Sequence, residues 1–129
     1  MNKILVQVSV GELLDKISIL EIKKEKIKDS EKLKFINDEH AILKEQLDQN
    51  VKSNDKLNEL FQSLKEINAK LWIIEDDKRM CEKNSDFTEN FIKLSRNVHF
   101  LNDERAMIKL KINELTGSII KEIKEYQIY

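Results

Sequence analysis

The chain has 129 residues, 36% of them charged and 40% hydrophobic, with no proline, two glycines and a formal net charge of −1. That is one domain's worth of chain, and its composition suits long amphipathic helices better than a strand-rich fold, which needs more turns. Both signs of charge are interleaved, which leaves no basic footprint for nucleic acid or anionic membrane, and no apolar run approaches the roughly 18 residues of a membrane helix.

In chain order, Ile4, Val6 and Val8 alternate with Leu5, Gln7 and Ser9, predicting a short strand or extended arm over 1–9. The stretch is too short and too polar for a signal peptide, so the expected location is cytoplasmic. Ser9-Val10-Gly11-Glu12 has capping-box form: the hydroxyl can take an early helix N–H, and Glu12 can reach back. A first helix follows over 10–28, with Leu13, Leu14, Ile17, Leu20 and Ile27 on its buried stripe and Ser18 and Glu21 beside it. Asp29 or Ser30 caps a second helix over 31–48, whose seam is Leu33, Ile36, His40, Leu43 and Leu47. His40 reads as a hydrogen-bonded seam residue ahead of a pH switch or ligand.

The polar run from Asp48 to Asn54 is the best loop. The third helix, 55–83, repeats Leu57, Leu60, Leu64, Ile67, Leu71 and Ile74 at nearly heptad spacing and should be about 43 Å long. Cys81 falls on that stripe with no Cys or His at metal-ligand spacing, so it reads as a buried structural thiol. Asn84-Ser85-Asp86 breaks the helix, and Asp86-Phe87-Thr88-Glu89 offers a second capping box. The fourth helix, 87–115, carries Phe91, Leu94, Val98, Leu101, Arg105, Ile108, Ile112 and Leu115 on one seam and ends at Gly117. The tail, 118–129, fits a short helix or an extended segment, and its isoleucines would suit docking on the N-terminal arm.

Trp72 is the single tryptophan, and all three arginines lie downstream of it at Arg79, Arg96 and Arg105. Every other basic residue except the histidines is lysine, a bias typical of AT-rich coding sequence, so the retained arginines mark places that need a planar, bidentate cation. Asn102, Arg105 and Lys109 share one face of the fourth helix, and Glu75, Arg79 and Glu82 align on the third. Antiparallel pairing about a turn near 85 sets Glu75 opposite 95–96, Arg79 nearer Phe91, and Arg105 level with 65–68, where Asn68 and Glu66 are the nearest polar partners. The charges then form two layers unless the first helix bridges them with Glu12, Asp15, Lys16 and Glu21.

A structural reading makes these residues inter-helix ion pairs that set register. A functional reading makes them an anion pocket, with carboxylates as Mg²⁺ ligands or as acid and base. Two enzyme templates were weighed. Glu12-Leu13-Leu14-Asp15 and Glu122-Ile123-Lys124-Glu125 match the Mg²⁺-binding helices of all-α nucleotide pyrophosphohydrolases in isolation but in reversed order; the arginines with Lys109 match chorismate mutases in kind only. There is no Gly-rich phosphate loop or nucleophile elbow.

Val8-Ser9-x-Gly11-Glu12-Leu13-x-Asp15-Lys16-Ile17, Leu71-Trp72-x-Ile74-Glu75-Asp76 with Arg79, Phe91-Ile92-x-Leu94-x-Arg96-x-Val98, and Asn102-Asp103-x-Arg105-Ala106-x-Ile108-Lys109-x-x-Ile112-Asn113 together resemble a family of short, uncharacterised, all-helical bacterial and phage-borne proteins, some encoded near glycosyltransferase genes. The resemblance implies a shared role for Glu12, Asp15, Lys16, Glu75, Asp76, Arg79, Arg96, Asn102, Arg105 and Lys109. The chain departs from the family at Val10, where proline is usual, and in the last ten residues. The expectation is an all-α antiparallel bundle of four helices that forms a homo-oligomer. Its first function reading is a binding or adaptor module, with a protein partner or a second copy. The alternative is a small-molecule or phospho-ligand enzyme with a charged intra-bundle pocket, and Mg²⁺ belongs to that alternative alone.

Overall fold

The computed structural model describes residues 2–128 and contains four helices: α1 Val10–Lys26, α2 Ser30–Asn50, α3 Asp55–Lys83 and α4 Glu89–Thr116. No strand occurs among the described residues, and the fold is an all-α bundle. The first three helices each start where a short polar side chain replaces a missing backbone partner. Ser9 Oγ accepts from Glu12 N at 3.0 Å, Asp29 from Glu31 N at 3.0 Å, and Asn54 from Leu57 N at 2.8 Å. The cap of α2 is therefore Asp29, with Ser30 the first helical residue.

The two expected capping boxes do not close. Glu12 turns away from the backbone to hold lysines, described below. Asp86 spends its carboxylate on the Thr88 N–H, 3.1 Å away, and on the Thr88 hydroxyl, so α4 begins only at Glu89 with no side-chain cap. Helix α4 ends as expected at Gly117, whose φ of 65° is the left-handed conformation open to glycine. The Gly117 and Ser118 N–H groups both return to Asn113 O.

Helix α1 is the hub, packing against each of the other three, while α2 lies along α1. Leu14, Leu57, Leu64 and Ile112 form the buried centre, flanked by Val10, Leu47, Val51, Leu60, Phe61 and Ile108. Because α1 has neighbours on several sides, its burial is broader than one stripe: Ile17, Leu20 and Ile22 are all buried. Leu13 and Ile27 are half-buried, and α1 stops at Lys26. In α2, Ile36 alone is fully buried. His40 is half-buried, with Nε2 3.4 Å from Glu21, and Lys65 of α3 reaches Glu21 at 3.3 Å and Glu25 at 3.0 Å.

Helices α3 and α4 form a long antiparallel hairpin. Near its turn Asn90 Nδ2 donates to the buried Cys81 Sγ at 3.7 Å, and far from it Leu57 and Leu64 meet Ile112. Between Asn68 and Lys109, Cys81 is the single fully buried residue. Leu71, Ile74, Leu94, Val98 and Leu101 are half-covered there, so this part of the hairpin is braced along its own seam only. The described residues of the arm and the tail, 2–9 and 118–128, have no regular structure, and among them the tail does not dock on the arm: Ile4 is 87% and Ile119 99% exposed.

Candidate functional site

Where α1 crosses the hairpin, a carboxylate is taken out of water. Asp15 is 2% exposed. Burying such a charge is costly unless it is paired and hydrogen-bonded, and here it is both. Arg105 grips it with two nitrogens, Nε at 3.0 Å from Oδ1 and a terminal nitrogen on Oδ2. Asn68 Nδ2 adds a bond at 2.8 Å to Oδ1, and another of 2.8 Å to Ser18 Oγ, which itself donates to Asp15 O at 2.7 Å. The Asp15 hydrogen bond raises the Arg105 pKa above its already high ordinary value, against the opposing effect of burial. The fork geometry is the reason an arginine occupies a core-facing seam position.

One turn along α4, Lys109 gathers three more contacts. Its ammonium lies 2.7 Å from Glu12, 3.0 Å from Glu122 in the tail and 3.8 Å from Asp15. Burial works against the charge, but the bonds from Glu12 and Glu122 outweigh it, and the Lys109 pKa is raised. The same contact holds the Glu122 carboxyl below its ordinary range. Lys16 completes the edge, 3.7 Å from Glu12. Among the described residues no buried side-chain nitrogen or oxygen is left without a partner.

Backbone contacts close the same junction. Gly11 N donates to Asn113 Oδ1 at 2.7 Å, and Val10 N to Ser118 Oγ at 3.2 Å. A Cβ on Gly11 would lie 2.6 Å from Lys109 O, so glycine is required for α1 to approach α4 this closely. Val10 supplies this junction with an N–H that a proline would lack. With Ser9 bonded to Glu12 N, the first amides of α1 are all engaged within the chain.

Of the residues singled out in the sequence, Glu12, Asp15, Lys16, Arg105 and Lys109 come together. Glu75, Asp76, Arg79, Arg96 and Asn102 stand outside the network at exposed positions, with the Arg96 guanidinium 5.9 Å from the Phe100 ring centre. Both groups nevertheless share helix faces. Asn68, Trp72, Glu75 and Arg79 are at i, i+4, i+7 and i+11 on α3, and Asn102, Arg105, Lys109 and Asn113 at i, i+3, i+7 and i+11 on α4. Helix α1 engages Asn68, Arg105, Lys109 and Asn113 and leaves Glu75, Arg79 and Asn102 in solvent. Gly11, Ser18, Asn113, Ser118 and Glu122 are network members that the sequence reading did not assign. Asn68 was legible from the hairpin register.

The residues do not suit Mg²⁺ as the pyrophosphohydrolase template would have it. Glu12, Asp15 and Glu122 do converge, but on the Lys109 ammonium, and no group of three or more His, Cys, Asp or Glu among the described residues is arranged to hold a metal ion.

Fold and junction together define a class: an α-helical protein whose first helix is locked across an α3–α4 hairpin by a buried carboxylate–guanidinium pair, with half of the hairpin standing clear. The chain belongs to a family of unknown function (DUF6165), whose model matches residues 4–129 and so takes in nearly all of the arm and tail. Neither a curated protein nor a solved structure matches it significantly. No helix among the described residues is long and apolar enough to cross a membrane.

Proposed function

We propose that this protein is a non-enzymatic helical binding module, and that its contact surface is the part of the α3–α4 stripe beyond α1. The surface consists of Trp72, Glu75, Arg79 and Asn102, with Asp76 and Arg96 at its rim. One observation carries the reading: a single stripe is covered by α1 up to Asn68 and Arg105, then continues bare along the part of the hairpin, between Asn68 and Lys109, in which Cys81 is the lone fully buried residue. A two-helix layer supplies little burial, and bundles gain stability when another helix fills the remaining groove. Tryptophan and arginine are also the side chains that most often dominate protein interfaces. The partner is a protein helix or a second copy in the cytoplasm, and the glycosyltransferase neighbourhood implied by the resemblance suggests a surface-glycan setting for it.

The charged junction supports this division of labour. Its members satisfy one another, Lys109 sits where the carboxylates would have to hold Mg²⁺, and Arg79 and Arg96 do not join Arg105 to clamp a dicarboxylate. A charge-reversed variant, Glu75→Lys with Arg79→Glu, tests the reading. The melting temperature should stay within a few degrees of the parent, because both positions are exposed, while the complex seen in native extract by size-exclusion chromatography should be lost. A complex that survives the reversal would refute the assignment, as would stabilisation of the parent by Mg²⁺ with no complex at all.

A further inference from the structure

A second feature lies on the flank of α4 next to this junction and shares Lys109 and Asn113 with it. The tail crosses back over the helix beside a cleft of about 290 Å³, lined by the apolar Ala106, Met107 and Leu110, by Asp103, Lys109 and Asn113 of α4, and by Glu122, Lys124 and Tyr126 of the tail. The Lys109 side chain is nine-tenths buried, yet its ammonium reaches this cleft and holds Glu122 there at 3.0 Å. We propose that the cleft is a binding site for a small organic carboxylate with a compact apolar body, and that Glu122 is the built-in occupant this ligand displaces.

Three observations meet at this point. The exchange balances charge: one carboxylate replaces another against Lys109, which keeps Glu12 at 2.7 Å and Asp15 at 3.8 Å and so remains oriented when Glu122 leaves. The tail is cheap to move, since Ile123 and Tyr126 are exposed and Glu122 is itself about half exposed, the setting in which ion pairs are weak. The cleft has room for a body of roughly ten heavy atoms at about 30 Å³ each, and its lining combines apolar side chains with the Lys109 ammonium, the usual make-up of a small-molecule site. Gly117 and Ser118 fix the point from which the tail swings, because Ser118 is bonded to both Val10 N and Asn113 O.

The test uses the full chain with phenylacetate and its neutral isostere phenylacetamide, titrated by calorimetry at constant ionic strength. Phenylacetate should bind and phenylacetamide should bind at least about tenfold more weakly, the difference being the Lys109 contact. Glu122→Gln, which weakens the internal competitor, should tighten phenylacetate by about threefold to tenfold, the factor by which a mostly closed tail lowers apparent affinity. Ala106→Phe, in the cleft lining at a half-exposed helical position, should fold like the parent and lose binding. Equal affinity for acid and amide would overturn the proposal. So would an unchanged affinity in Glu122→Gln, or full binding by a folded Ala106→Phe.

Discussion

Replacing Arg105 by methionine removes the clamp on Asp15 while keeping most of the apolar stem of the side chain. The carboxylate, 2% exposed, would lose both guanidinium bonds and retain Asn68 at 2.8 Å and the Lys109 ammonium at 3.8 Å. Stranding one partner of a buried pair costs about 3–5 kcal/mol. The Arg105 side chain is 29% exposed, so solvent already screens part of the interaction, and Lys109 remains close; both place the loss near the low end, about 3 kcal/mol. Against a total stability of about 5–15 kcal/mol that is a large fraction, and it should lower a urea midpoint by roughly 1–3 M. Fluorescence of Trp72, the single tryptophan, four residues from Asn68 on α3, reports the transition. Adding Asp15→Asn to Arg105→Met removes the stranded charge and should recover about 1–2 kcal/mol of the loss. An Arg105→Met variant as stable as the parent, or more stable, would refute the reasoning and mark Arg105 as a charge held for a ligand at a cost to the fold.

Gly11→Ala should destabilise by about 1–3 kcal/mol in the same urea assay, because the new Cβ meets Lys109 O at 2.6 Å and α1 must move off α4; a neutral result would show that the junction is looser than described. Gly117→Ala, at φ 65°, should cost about 1–2 kcal/mol from backbone strain alone, since nothing lies near the added methyl; a stabilised variant would contradict this. The tail contact should be acid-labile. The Lys109 hydrogen bond lowers the folded-state pKa of Glu122, so its contribution is present above the ordinary value of 4.5 and disappears as pH falls through the depressed one. The raised Lys109 pKa keeps its side of the pair intact up to 10.5 and loses it only above that. The Glu122 carboxyl followed by NMR should therefore titrate below 4.5, and a transition at or above 4.5 would be the wrong sign.

The helices were legible because each carries a long apolar period and a polar stop, and the register of the α3–α4 hairpin follows from its short turn. That register sets Arg105 level with 65–68, where Asn68 and Glu66 are the expected polar partners, and Asn68 does share Asp15 with Arg105. Capping boxes misled for definite reasons: the Glu12 carboxylate is taken by the buried Lys109, and Asp86 accepts from the Thr88 N–H and hydroxyl, one residue short of Glu89. Asn113, Ser118 and Glu122 were not assigned to the junction because their partners lie on α1 or across the tail, and the angle at which one helix crosses two others is not written in the period of any of them. Ile22 was missed for a related reason, since a stripe drawn for one neighbour underestimates a helix that has three. The split of the charged residues into a satisfied junction and a bare continuation became visible only once α1 was seen to stop short of Glu75.

The most direct test of the central claim is photo-crosslinking in the native cell from residues of the bare stripe. A photoreactive amino acid at Glu75 or Arg79 should give one discrete adduct, with a partner protein or a second copy, while the same group at Glu45 on the exposed side of α2 should give none. Absence of an adduct from both stripe positions, or equal labelling from Glu45, would contradict the assignment of this surface.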